Sequence, residues 1–233
     1  MPRLIVLGCG TGVGKTRVGV ALLHALRAAG ERCEGLKPIE SGIELISGAP
    51  PPGSDAHVLG TPSNLHNSAC VAPLYALPAA VSPHLAARRA QIEIRLDSIA
   101  GWVGAREQEL TTRTGSHRAG WLLIETAGGV FSPLSERATN FDLARALDPA
   151  IWVLVASDSL GVLHEVTATL TAMRARGRSA DHLVLCAART PDLSTGTNAG
   201  ELELLGIGQT SAVLARDDDS GISLLLTRLL NAS

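Results

Sequence analysis

Arg3-Leu4-Ile5-Val6-Leu7-Gly8-Cys9-Gly10-Thr11-Gly12-Val13-Gly14-Lys15-Thr16 is a short apolar, β-branched run followed at once by a glycine-rich loop that closes on Lys-Thr. Beyond it Val18, Ala21, Leu22, Ala25 and Leu26 recur at helical spacing, and the pattern stops at Gly30. Strand, glycine loop and helix in that order describe a phosphate-binding loop. Glycines permit positive φ, successive N–H groups curl around an anion, and the helix points its positive end at it. Lys15 then reaches the β- and γ-phosphates and the Thr16 hydroxyl takes a place on Mg²⁺. In the usual spacing GxxxxGK[ST] the first glycine would fall at Cys9; here it stands one residue earlier, at Gly8, so the loop is a variant. A dinucleotide fingerprint fits less well, because Gly14-Lys15-Thr16 follows directly and no acidic residue ends the second strand.

The alternation continues outward. Apolar strand patterns recur at 33–37, 121–125, 151–156, 183–187 and 211–215, with helical patterns at 95–113, 140–147, 162–176, 197–205 and 219–231. Strands alternating with helices predict an α/β protein of P-loop NTPase fold: one domain over 1–233, a mostly parallel sheet, and helices on both faces. Ligands then gather at the carboxyl ends of the strands. Gly48-Ala49-Pro50-Pro51-Pro52-Gly53 reads as a loop that interrupts this domain.

The chain has 233 residues, 18% charged, with a formal charge of −2 and no like-charge block beyond Asp217-Asp218-Asp219. Nothing there drives counterion release from nucleic acid or adhesion to an anionic membrane. No apolar run approaches the roughly 18 residues of a membrane span, and the start turns glycine-rich too early for a signal peptide. A cytoplasmic protein is expected. Cys9, Cys33, Cys70 and Cys186 lie far apart without metal-ligand spacing, so neither disulfide nor zinc is expected.

Of twenty basic residues, eighteen are arginine; the two lysines are Lys15 and Lys37. Arginine replaces lysine where a surface needs only charge, but its planar fork cannot serve where a compact ammonium must enter a crowded anion site. Lys37 ends the second strand in Leu36-Lys37-Pro38-Ile39-Glu40-Ser41-Gly42, at the same carboxyl edge as the glycine loop, and Pro38 bars it from helix. Two cations at one phosphate edge suggest phosphoryl transfer, or stabilisation of a second anion beside the γ-phosphate. Trp121-Leu122-Leu123-Ile124-Glu125 aims a carboxylate at Mg²⁺ from a neighbouring strand tip. Asp55, in Gly53-Ser54-Asp55-Ala56-His57, reads equally as a metal ligand or a helix N-cap.

The glycine loop, Lys37-Pro38-Ile39-Glu40-Ser41-Gly42, Ser82-Pro83-His84, Glu125-Thr126-Ala127-Gly128-Gly129 and Ser132-Pro133-Leu134-Ser135 together resemble, in order and spacing, the motifs of the dethiobiotin synthetase family over roughly the first two thirds of the chain. The resemblance implies an ATP- and Mg²⁺-dependent carboxylase and cyclo-ligase that converts 7,8-diaminopelargonic acid and CO₂ to dethiobiotin, ADP and phosphate. It also implies roles by position. Lys15 and Lys37 neutralise the carbamate and the transferring phosphoryl group; Thr11 and Ser41 bind the carbamate end. Thr16, Asp55 and Glu125 hold Mg²⁺. Gly12, Val13, Gly14, Lys15, Thr16 and Arg189 hold the nucleoside triphosphate. The substrate's carboxylate tail is expected at a homodimer interface near Leu160, Gly161 and His164, in the turn Asp158-Ser159-Leu160-Gly161-Val162-Leu163-His164. The apolar stretch from Leu160 to Met173 is compatible with a dimer face, and a buried helix looks the same in sequence.

Several positions depart from the family pattern. Gly10 and Gly12 stand where Asp and Glu occur, Thr126 where Gly is usual, and His164 where Asn is usual. The Asn that reads adenine has no counterpart in Cys186-Ala187-Ala188-Arg189, so at most a modest preference for ATP is expected. A P-loop switch ATPase that positions partners is the alternative reading, as is a relative that binds nucleotide without turnover. The first needs a second lysine near the start of the loop, where Cys9 stands, and has no use for Lys37.

Overall fold

The computed structural model describes residues 1–64, 70–114, 120–216 and 218–232; Asp217 of the acidic triplet lies outside them. In chain order the elements are β1 (Arg3–Gly8), α1 (Lys15–Ala28), β2 (Cys33–Leu36), β3 (Ile39–Ser41), α2 (Asp55–Gly60), β4 (Tyr75–Leu77), α3 (Pro83–Arg89) and α4 (Leu96–Thr114). There follow β5 (Trp121–Glu125), α5 (Asn140–Ala146), β6 (Ile151–Asp158), α6 (Val162–Ala175), β7 (His182–Ala187), α7 (Asn198–Leu204), β8 (Thr210–Leu214) and α8 (Gly221–Ala232). The six strands read from the sequence form one sheet in the order β2-β5-β1-β6-β7-β8, and every pairing in it is parallel.

Alternation along each strand divides the core. Leu4 and Val6 face α1, α2 and α8, packing on Leu22, Leu26, Leu59 and Leu225, while Ile5 and Leu7 face the side of α3 to α7 with Phe141, Val166 and Leu202. Both faces are covered, as a parallel sheet requires. The apolar stripe of α6 is used up in this way: Val162, Val166, Leu170 and Met173 are buried against the sheet, the second of the two readings of that stretch. Phe141 stacks on Phe131 and meets Trp152 edge-on, at 5.7 and 5.4 Å between ring centroids.

The sequence reading missed α2, α3 and a small second sheet in which β3 and β4 pair in parallel. All four are three to seven residues long, and short elements give little periodicity to read. They carry the chain from Lys37 across the carboxyl edge of the main sheet.

Candidate active site

The loop between β1 and α1 has the conformation its glycines permit. Gly12 and Gly14 take φ of 74° and 99°. A β-carbon at Gly14 would lie 2.4 Å from the Cys186 sulfur, so β7 leaves no room there for any side chain. The displaced first glycine has its own cause. Lys15 folds back over the loop to donate to the Gly10 carbonyl at 3.0 Å, and a β-carbon at Gly8 would sit 3.0 Å from its Nζ and 2.9 Å from that carbonyl. Val13 turns its side chain into the core and leaves only its backbone to the loop.

Burial pushes the Lys15 ammonium down to about 8, against the pull of Glu125. A polyphosphate bound at the loop restores the charged form. Nucleotide binding above pH 8 is therefore expected to take up a proton and below pH 7 not to, which calorimetry in buffers of different ionisation enthalpy measures as a difference in apparent heat. Equal heats across buffers at pH 8.5 would refute it.

Strand register builds the other half of the site. Leu36 pairs with Ile124 and Val6 with Glu125, so Lys37, the residue after β2, emerges beside the carboxylate that ends β5. Lys37 Nζ lies 2.5 Å from Glu125 Oε1 and 2.8 Å from Asp55 Oδ2, with its side chain 4% exposed. Thr16 Oγ1 stands 2.9 Å from Asp55 Oδ1 and 3.0 Å from Glu125 Oε1, and its single proton serves one at a time. Burial alone would lower the Lys37 pKa and raise that of Asp55. Glu125 and Asp55 more than reverse the first and Lys37 the second, so Lys37 is held protonated and Asp55 ionised.

These residues fit a hard cation. Magnesium takes one or two carboxylates and completes its shell with water and phosphate oxygens. Thr16, Asp55 and Glu125 offer oxygen donors only, and Glu125 Oε2 is buried without a hydrogen-bond partner. Asp55 is not the helix cap. Ser54 is the N-cap residue of α2, accepting from His57 N, and Asp55 is the first helical residue.

Two cavities open on this cluster. One, of about 410 Å³, is lined by Thr11, Gly12, Gly14, Lys15, Thr16 and Arg189 and reaches Cys186 and Ala187 after β7. The other, of about 830 Å³, runs from Thr11 and Lys37 past Ser41 and Gly42 to Ala80 and Val81. Ser41 Oγ is buried there with no partner. Leu160, Gly161 and His164 line neither cavity: the turn after β6 is exposed, with Leu160 84% accessible and Gly161 at φ 100°.

The structure adds Asn140, which the sequence did not single out, and gives Ser132 of the quoted motifs a contact. Asn140, fully buried at the start of α5, donates to the carbonyls of Ala127 and Gly129 at 2.6 and 2.8 Å, and Ser132 Oγ accepts from Gly129 N at 2.9 Å. Together they hold the loop after Glu125 against the glycine loop. An Asn opening a helix reads in sequence as an ordinary cap, so no signal distinguished it. Asn140→Ala is expected to leave two buried carbonyls unmatched and to destabilise the protein by about 2–3 kcal/mol in urea unfolding; a loss under about 1 kcal/mol would show that the loop relaxes to water. Thr126, unusual for the family, is buried and donates through its hydroxyl to the Val6 carbonyl at 3.0 Å, so its side chain serves the sheet.

The chain is similar to known proteins. A family model described as an AAA domain matches residues 2–215. The chain is 39% identical over 180 residues to the ATP-dependent dethiobiotin synthetase BioD of Caulobacter sp. (strain K31), covering 75% of this chain and 71% of that protein. It is 36% identical over 194 residues to the protein of the same name from Anaeromyxobacter sp. (strain K), covering 79% and 76%. Among solved structures it resembles the signal recognition particle receptor FtsY of Elizabethkingia anophelis (TM-score 0.53, 12% identity, 97% of this chain and 64% of that one). It also resembles the MinC:MinD cell division complex of Aquifex aeolicus (0.52, 11%, 100% and 97%). At such identities the structures speak for the fold alone.

Proposed function

We propose, for a chain that belongs to the ATP-dependent dethiobiotin synthetase family, that Lys15, Lys37 and the two cavities between them perform the ring closure of that reaction. The protein is an ATP-consuming ligase of biotin synthesis. In our reading one amine of 7,8-diaminopelargonic acid captures CO₂ as a carbamate in the larger cavity. The γ-phosphoryl group of ATP passes to a carbamate oxygen, and the second amine attacks the resulting carbamic–phosphoric anhydride, expelling phosphate and closing the ureido ring.

Electrostatics decides what the chain must supply. Two unit anions at about 4 Å repel by roughly 4 kcal/mol at an effective dielectric of 20, and ATP brings more than one charge. Lys37, at the mouth of the carbamate cavity, and Lys15, under the glycine loop, are compact ammonium groups placed to offset this. Thr11 and the unpartnered Ser41 hydroxyl are the donors for the carbamate oxygens. Thr16, Asp55 and Glu125 are the oxygens for Mg²⁺, which when bound offsets charge on the phosphates. Gly12, Gly14 and Arg189 line the cavity we assign to the nucleotide, and Val13 offers it only its backbone. A general base of tuned pKa is unnecessary, because positioning and charge carry most phosphoryl transfers.

The observation that carries this reading is the Lys37 ammonium shared by Glu125 and Asp55 beside Lys15. A switch ATPase would share the fold, yet would have no work for Lys37. Phosphate release from Mg-ATP and bicarbonate, with and without 7,8-diaminopelargonic acid and with the product weighed by mass spectrometry, tests it. Release that needs the diamine and yields dethiobiotin is expected; nucleotide turnover indifferent to the diamine would leave only the fold.

For the substrate's tail we place a second copy of the chain over the open end of the larger cavity, bringing the Leu160–His164 turn that one copy leaves outside. Sedimentation showing a monomer at assay concentration would sink this part. Among the described residues no helix is long and apolar enough to cross a membrane, and a cytoplasmic setting suits the substrates. Base selectivity is expected to be modest, since Cys186 and Ala187 offer no side-chain amide to the purine edge. A nucleotide panel in which ATP outruns CTP and GTP by more than about a hundredfold in kcat/KM would contradict it.

A further inference from the structure

An aspartate in the first turn of a helix ordinarily turns back on the N–H groups that have no partner there. Asp55 does not. Its carboxylate oxygens go outward, to Thr16 Oγ1 at 2.9 Å and Lys37 Nζ at 2.8 Å. The N–H groups of α2 are taken by others. Asp55 N and Ala56 N donate to Glu40 Oε1 and Oε2 at 2.7 and 2.9 Å, His57 N donates to Ser54 Oγ at 3.3 Å, and Val58 N to the Ser54 carbonyl at 2.9 Å. Glu40 comes from β3, three residues beyond Lys37, and is 6% exposed.

We propose that Glu40 is a positioning residue for Asp55: by occupying the first two N–H groups of α2 with both its oxygens, it keeps the Asp55 carboxylate turned toward Thr16 and Lys37. The alternative acceptor for those N–H groups is the Asp55 carboxylate itself, so losing Glu40 draws Asp55 away from the site. A glutamine at 40 cannot substitute. It accepts through one oxygen and sets an NH₂ donor against the other N–H. The same short strand thus follows the ammonium of Lys37 and fixes its carboxylate partner, tying the spacing of Lys37 and Glu40 to the geometry of the site.

The metal readout rests on the proposed role of Asp55 as an Mg²⁺ ligand, so the experiment separates the two. Mn²⁺ affinity is measured by electron paramagnetic resonance with a non-hydrolysable ATP analogue, for the wild type, Glu40→Gln, Asp55→Asn, the double variant and Asp181→Asn. Asp181 accepts from Trp152 N at the opposite edge of the sheet and controls for lost stability. Glu40→Gln is expected to weaken Mn²⁺ about tenfold, as support residues behind metal ligands do. The double variant is expected to bind no more weakly than Asp55→Asn, and Asp181→Asn to match the wild type. Unchanged Mn²⁺ affinity in Glu40→Gln, losses that add in the double variant, or an equal loss in Asp181→Asn each overturn the proposal. Should Asp55→Asn itself bind Mn²⁺ normally, the ligand role of Asp55 falls. The same cycle read in urea unfolding then decides the positioning role: non-additive losses support it and strict additivity overturns it.

Discussion

Lys37→Gln is expected to lower kcat for dethiobiotin formation about a hundred- to a thousandfold, the cost of removing one preorganised charge from an anionic transition state. Nucleotide affinity should stay within about threefold, because Lys15 and the glycine loop keep their contacts. The amide removes the cation that Glu125 and Asp55 share, at 2.5 and 2.8 Å, and though one atom shorter keeps some hydrogen-bonding capacity. Lys37→Met goes further. It leaves a fully buried Glu125 and a nearby Asp55 with no counter-charge, and breaking a buried pair in this way costs about 3–5 kcal/mol of stability. Steady-state kinetics with fluorescent-nucleotide titration checks the first variant and urea unfolding the second. Near-normal kcat in Lys37→Gln would remove Lys37 from the chemistry and return the switch-ATPase reading to the front.

Gly14→Ala should abolish nucleotide binding and destabilise the fold together. At φ 99° an L side chain is strained, by about 1–2 kcal/mol or more, and its β-carbon would meet the Cys186 sulfur at 2.4 Å and the Cys186 β-carbon at 2.8 Å. Overpacking adds about 1–3 kcal/mol, so roughly 2–5 kcal/mol is expected in urea unfolding. Relief by moving the loop would displace the N–H groups that cradle phosphate. Cys186→Ala in the same chain is not expected to rescue it, because the β-carbon contact and the backbone strain both remain. Tight nucleotide binding by Gly14→Ala would mean that the loop tolerates a conformation other than the one described.

The main sheet was legible because its signal is local. Four of the six strands are largely continuous apolar runs, β2 and β8 carry weaker ones, and the helices between them span about two turns or more, so the alternation placed them to within a few residues. Glu125, Lys15 and Thr16 were legible for a related reason: they stand at element ends, where the direction of the chain already says which edge they reach. Asp55 was only half legible. Its role hangs on whether another residue takes the first N–H groups of α2, and that residue, Glu40, lies fifteen positions away on a strand of three residues. Asn140 gave no signal, since its two acceptors are carbonyls brought near by the turn after β5.

By itself the sequence determined the α/β alternation, the phosphate loop with its early glycine, and the two lysines as the residues needing a functional explanation, because all three are properties of contiguous chain or of composition. Only the tertiary structure decided that Lys37 is shared by Glu125 and Asp55, that a β-carbon at Gly8 would meet the Gly10 carbonyl and Lys15, and that Glu40 takes the first two N–H groups of α2. Those depend on strand register and on distances of about 3 Å between groups up to 88 positions apart, which parallel crossovers create and no local pattern encodes.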